Sequence, residues 1–213
     1  MKIVFDKVMP HPLDSIQHGS TSIWGNKMEV AKGEKILLNA SSGKGKSTFT
    51  FTALGLRSDY SGEVFYNNIN INTFQPNDWT SIRQQKVSVV FQDLQLFPEL
   101  TVGENLLIKN SLQNVFNEEE IRAMLRELDI ENKWDQKCQF LSMGQQQRVA
   151  IVRALCQPFE ILLMDEPFSH LDAENTLKCL MLINKRCDEI GAGFVLTTLG
   201  DDHGFKYDHI YYL

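Results

Sequence analysis

The sequence predicts an α/β protein whose mainly parallel sheet is interrupted by a helical lobe, and three observations carry that prediction. Compact apolar runs at residues 35–38, 87–91, 160–164 and 194–197 have the length and boundaries of buried strands. Helical stretches separate them, one at about 46–56 and one at about 174–190 that stops at Gly191, and strands alternating with helices pair in parallel. Between about residues 93 and 150 the periodicity turns helical. There Asn117 opens an N-x-x-E start with Glu120, and Ile121, Met124, Leu125 and Leu128 follow at i, i+3, i+4 and i+7.

The remaining elements follow in order. Residues 2–8 and 23–30 read as short strands and Lys32-Gly33-Glu34 as a turn, with the run at 35–38 leading into a loop over 39–45. Residues 61–68 read as a turn and strand at the surface, and 208–213 as a last strand. No repeat, low-complexity segment or Gly/Ser- or Pro-rich linker divides the 213 residues, so they make one domain with an inserted lobe.

Composition narrows the function classes. With 43% hydrophobic and 23% charged residues the chain is an ordinary globular protein, which excludes collagen-like, disordered and coiled-coil classes. A formal charge of −6 argues against a dominant basic face for nucleic acid. No stretch approaches the ~18 consecutive apolar residues of a membrane span, and the first six residues reach a charge too soon for a secretory signal. Cys138, Cys156, Cys179 and Cys187 form no C-x-x-C pair and read as reduced thiols of a cytoplasmic protein. Any work at a membrane therefore falls to a partner.

Two segments carry chemistry. Ala40-Ser41-Ser42-Gly43-Lys44-Gly45-Lys46-Ser47-Thr48 lies between a buried strand and a helix, the context of a phosphate-binding loop. Small residues let successive backbone N–H groups converge on phosphate oxygens, and the helix N-terminus adds partial positive charge. Lys46 would reach the β- and γ-phosphates, Ser47 would ligate Mg²⁺, and Thr48 is the next donor. Ala40 stands where the pattern favours glycine, so the backbone there either suits Ala or is slightly strained. The second segment is the apolar run ending in Asp165-Glu166. Asp165 would hold Mg²⁺ directly or through water; Glu166, turned the other way by strand alternation, would polarise an attacking water.

With Leu141-Ser142-Met143-Gly144-Gln145 the chain resembles the nucleotide-binding subunit of an ATP-binding cassette (ABC) transporter, whose signature usually reads L-S-G-G-Q. The following helix, residues 146–155, is similar too. So are the segment around Gln92 with its continuation through residues 96–105, and the D-loop, Ser169-His170-Leu171-Asp172. These motifs stand in the family's order across nearly the whole chain. The resemblance implies a P-loop NTPase fold with a RecA-like core, an N-terminal antiparallel β part and an inserted α-helical signalling subdomain. It places the core at residues 1–92 and 151–213 and the helical subdomain at 93–150. It also implies that two cassettes, identical or different, sandwich two ATP molecules head to tail, each signature completing the other chain's site. Ser142 and the Gly144 amide would then face a γ-phosphate held by the partner, and Gln92 would sense Mg²⁺ and the attacking water. Motion would pass to an integral-membrane permease subunit, with the cassette peripheral at the inner face of the cell membrane.

The chain departs from the family pattern at three places. The strand at 194–198 is followed by Leu199 where the family has a catalytic His, and His203 lies four residues on, able to substitute only if its loop is rearranged. No aromatic residue stands where the family stacks a ring on adenine. His11 reads as a plain loop residue there, and Trp24 is expected to pack on a strand. His170 replaces the D-loop's usual small residue. The reading that follows is an ATP-hydrolysing transporter subunit; a degenerate, slow or non-hydrolytic cassette and a soluble ABC-type assembly protein are the alternatives.

Overall fold

The computed structural model describes residues 1–213. Nine strands form two sheets. The first is antiparallel in the order β2-β1-β4-β5, from β1 (Lys2–Pro10), β2 (Lys27–Ala31), β4 (Tyr60–Tyr66) and β5 (Ile69–Asn70). The second is parallel in the order β6-β7-β8-β3-β9, from β3 (Lys35–Asn39), β6 (Val87–Val90), β7 (Ile161–Asp165), β8 (Gly193–Thr198) and β9 (His209–Tyr212). The α/β architecture with its antiparallel N-terminal part is therefore present as expected.

Strand alternation supplies both cores. Ile36 and Leu38, Ile161 and Leu163, and Val195 point to the side where α1 (Lys46–Ala53) and the antiparallel sheet pack, with Phe5 and Phe49 stacked 4.9 Å apart. Leu37, Leu162, Met164, Phe194 and Leu196 point the other way, into a core shared with α3 (Val102–Asn110), α4 (Glu118–Glu127), α5 (Met143–Leu155) and α6 (Ala173–Ile190). Strands buried on both faces read as continuous apolar runs because a parallel sheet is covered twice. The Asn117–Glu120 capping box starts α4 as predicted, and Gly191, at φ +61°, ends α6.

Three expectations about elements need correction, and one helix has no counterpart among them. The strand expected at 23–30 covers only Lys27–Ala31, because Gly25 at φ +78° turns the preceding residues. The helix expected to reach Leu56 ends at Ala53, where Gly55 at φ +63° stops it. The strand expected at 87–91 stops at Val90. A further helix, α2 (Pro76–Gln85), carries no buried stripe, so hydrophobic periodicity does not mark it. It is held instead by Trp79, which packs edge-on against Tyr66 and Phe74. Its signals were local: Pro76 in the first turn and a Gln75/Asp78 capping box.

All four cysteines are free and buried. Burial pushes the Cys138 thiol up to about 11 and those of Cys156, Cys179 and Cys187 up to about 12, so none is a nucleophile at neutral pH. No helix is long and apolar enough to cross a membrane.

Candidate nucleotide site

The loop between β3 and α1 is fixed at both ends by its backbone. Ala40 N–H donates to Thr198 O at 3.1 Å, Gly43 takes φ +77°, and Gly45, at φ +100°, starts α1. Ala40 is not among the positive-φ residues, so the alanine in place of glycine carries no strain of that kind. Gly45 is required twice over. Besides its φ, a Cβ there would lie 2.6 Å from Leu13 Cδ1 and 3.1 Å from the Trp24 ring. Trp24 is buried and its indole N–H donates to Lys44 O at 3.0 Å. Trp24 lies in a turn, inside the core cluster that holds the strand residues Phe5 and Met28, and supports the phosphate loop. His11 is exposed in a short 3₁₀ turn, Leu13 of that turn being the residue that reaches the loop.

Lys46 is 6% exposed, and its Nζ lies 3.2 Å from Ser41 O, 3.4 Å from Ala40 O and 3.3 Å from Glu166 Oε1. Ser47 Oγ donates to Gln92 Oε1 at 3.4 Å. Lys46, Ser47, Gln92 and Glu166 line one cavity of about 260 Å³ with Leu13, Ser42, Gly43, Gly45 and Thr48, while Ala40, Ser41 and Lys44 of the same loop do not line it.

Asp165 and Glu166 differ sharply although adjacent. Asp165 ends β7, is 2% exposed and accepts the Thr197 hydroxyl at 2.9 Å across the parallel register that pairs the two residues. Burial raises its carboxyl above the usual aspartate range, against the lowering effect of hydrogen bonds from Ser47 and Thr197. Glu166 leaves the strand with φ +48°, a left-handed conformation costing about 1–3 kcal/mol in a non-glycine residue. That turn, rather than simple alternation, aims its carboxylate at Lys46. Glu166 also lines a second cavity, of about 180 Å³, with Phe168, Ser169, Leu199 and His203. His203 sits edge-on to Phe168 at 5.3 Å with Nδ1 3.3 Å from Asp201 Oδ2, while Leu199 is 59% exposed.

The donor set fits Mg²⁺ and phosphate. A hydroxyl, an amide oxygen and a buried carboxylate are the hard oxygen ligands magnesium takes, and Lys46 is a shielded cation beside a helix N-terminus. The 141–145 segment lies elsewhere. Ser142 caps α5, its Oγ accepting Gln145 N–H at 3.3 Å while Gln145 Oε1 accepts Ser142 N–H at 3.0 Å. Leu141 is buried and Met143 is 47% exposed. Neither cavity at Glu166 is lined by this segment. Gly144 packs on the loop that holds Ser169, His170 and Leu171, and Asp172 caps α6 by accepting Asn175 N–H at 2.8 Å.

Sequence reasoning gave no role to Leu13, Thr197, Gln147 or Arg153. Thr197 was findable, since two buried parallel strands in register put it beside Asp165. Arg153 of α5 donates to Gln95 O at 2.6 Å and Leu94 O at 2.8 Å, tying down the loop after Gln92. No spacing signals that contact.

The chain is similar to known proteins in both sequence and fold. The family model described as ABC transporter matches residues 25–169. The ABC transporter ATP-binding protein YtrE of Bacillus subtilis is 35% identical over 82% of this chain and 77% of its own length. The thiamine import ATP-binding protein ThiQ of Haemophilus influenzae is 36% identical over 80% and 78%. Among solved structures, the dimeric bacterial ABC transporter cassette MJ0796 superimposes with a TM-score of 0.84 at 28% identity, over 99% of this chain and 94% of that one. A post-hydrolysis state of the same cassette, bound to ADP and Pi, gives 0.82 at 29% identity, over 100% of this chain and 94% of that one.

Proposed function

The chain belongs to the ABC transporter family, as an ATP-binding cassette, and from that premise we propose that it hydrolyses ATP between two cassettes arranged head to tail. We further propose that the closure and reopening of this pair drive a separate integral-membrane permease, with the cassette cytoplasmic and peripheral to the membrane. In this reading residues 1–92 and 151–213 are the ATPase core and 93–150 the helical subdomain.

The observation that carries the proposal is the convergence of Lys46, Ser47, Gln92 and Glu166 on one cavity. Amides of residues 42–47 and Lys46 bind the triphosphate, and the shielded ammonium gains strength from its low exposure. Ser47, Asp165 and Gln92 are the residues to hold Mg²⁺, which when bound offsets charge on the β- and γ-phosphates. Glu166 accepts the proton of the attacking water, and Thr197 keeps Asp165 oriented from behind. Segment 141–145 lines neither cavity at Glu166, so in this reading a second chain brings it to the γ-phosphate. That need supports dimerisation, and the similar MJ0796 cassette is dimeric.

Leu199 favours a slow variant of the same reading, because an apolar side chain stands in the cavity wall beside Glu166. Steady-state ATP turnover by the purified chain, and capture of a bound integral-membrane protein from detergent-solubilised membranes, test the two halves separately. ATP binding without turnover removes hydrolysis; turnover with only soluble partners removes transport in favour of an assembly role.

A further inference from the structure

Gln147 lies in the second turn of α5 and is 1% exposed. A side-chain amide that deep is costly when either group is left unsatisfied, so its partners reveal why it is there. All of them are on the loop after β7. Its Oε1 accepts the His170 backbone N–H at 3.0 Å, and its Nε2 donates to Ser169 Oγ at 2.8 Å. The Ser169 hydroxyl lies 3.0 Å from His170 Nδ1, into which it can donate. A second contact closes on the same loop: a Cβ on Gly144 would lie 2.8 Å from His170 O. An amide engaged at both ends and a backbone seated on a glycine therefore hold residues 169–170 against α5.

We infer that Gln147 is a positioning residue that joins the signature segment and the D-loop into one rigid unit. The inference rests on the composite-site reading above, in which both segments face the second cassette. A displacement of the signature then displaces Ser169 and His170 equally, and the loop that begins at Glu166 follows. None of Gln147's partners belongs to the phosphate loop, so nucleotide binding by a single chain is independent of it. A Leu or Met would fill the space, but only a polar side chain that hydrogen-bonds both the His170 N–H and the Ser169 hydroxyl specifies the loop's position.

The test measures kcat, KM and single-chain ATP affinity for the full chain carrying Gln147→Leu, Gln147→Glu, Ser169→Ala and the Leu/Ala double change. Gln147→Leu lowers kcat about tenfold, with KM and ATP affinity changed by less than about twofold. Gln147→Glu restores most of the rate, since its oxygens accept from both His170 N–H and the Ser169 hydroxyl. The double variant is no slower than Gln147→Leu alone, because the two changes break one link. Unchanged kcat, a loss shared with KM, no difference between Leu and Glu, or additive effects would each overturn the inference. If Gln147→Leu does not fold, Ser169→Ala against Ser169→Thr makes the comparison, with alanine slow and threonine restored; equal rates overturn it. If the wild-type chain binds ATP without turning it over, the hydrolysis reading fails by itself. The clasp is then read from ATP-driven dimerisation, which Gln147→Leu must weaken about tenfold, and an unchanged dimer overturns it.

Discussion

Lys46 Nζ lies 3.3 Å from Glu166 Oε1, and the two side chains are only 5% and 15% exposed. The cation that would bind phosphate and the carboxylate that would activate water are thus paired with each other. In the proposed function an entering γ-phosphate would compete for Lys46 and so release Glu166 to act as the base.

Replacing the base separates binding from chemistry. Glu166→Gln is expected to lower ATP turnover by roughly 10²–10⁴. ATP affinity should hold or rise, since no carboxylate then competes for Lys46. Steady-state hydrolysis and equilibrium titration with a fluorescent ATP analogue check the two arms; retained turnover would remove Glu166 from the mechanism.

Trp24 supports the phosphate loop through its hydrogen bond to Lys44 O. Trp24→Phe keeps most of the packing and deletes that bond, worth about 1 kcal/mol. Thermal unfolding should fall by about 2–4 °C, and ATP affinity by about three- to tenfold. An unaltered affinity would mean the loop holds its shape unaided.

Much of this arrangement was legible in the sequence, and the exceptions share a cause. The phosphate loop announces itself because small residues, a lysine and a hydroxyl in fixed spacing are what a phosphate cradle requires locally. Asp165-Glu166 could be read because four apolar residues must precede carboxylates delivered at a sheet edge. Trp24 is legible as a core residue, but its support of the phosphate loop is not, because the Lys44 carbonyl it bonds lies twenty positions away. Gln147 and Arg153 sit in a helix whose pattern reports only which face is buried. Which loop each one grips is tertiary information, and α2 escaped notice because it buries no stripe at all.

Leu199 offers a gain-of-function test. It stands in the cavity wall shared by Glu166 and His203. Leu199→His adds a donor and acceptor beside the base and is expected to raise kcat by about tenfold. An unchanged kcat would show that this position does not limit turnover.

Acid sensitivity should come partly from Glu160. Its hydrogen bond from Lys86 and then that from the Met1 amino group hold the carboxyl down to about 2. A depressed folded pKa stabilises above the unfolded value of about 4.3 and loses that contribution as pH falls toward 2. Screening limits the effect to about 1 kcal/mol. Glu160→Gln should therefore melt about 2–4 °C below wild type at pH 7. The gap should shrink below about pH 5 and close near pH 2; a gap independent of pH would contradict the ionic origin.

In the proposed dimer one chain holds the phosphates while another supplies Ser142 and Gly144. Sedimentation equilibrium of Glu166→Gln with saturating Mg²⁺–ATP tests it most directly. Dimers are expected with ATP, monomers with ADP, and monomers again when Ser142→Arg is added without loss of ATP binding. Chains that stay monomeric with ATP demonstrably bound, or dimers indifferent to Ser142→Arg, would contradict it.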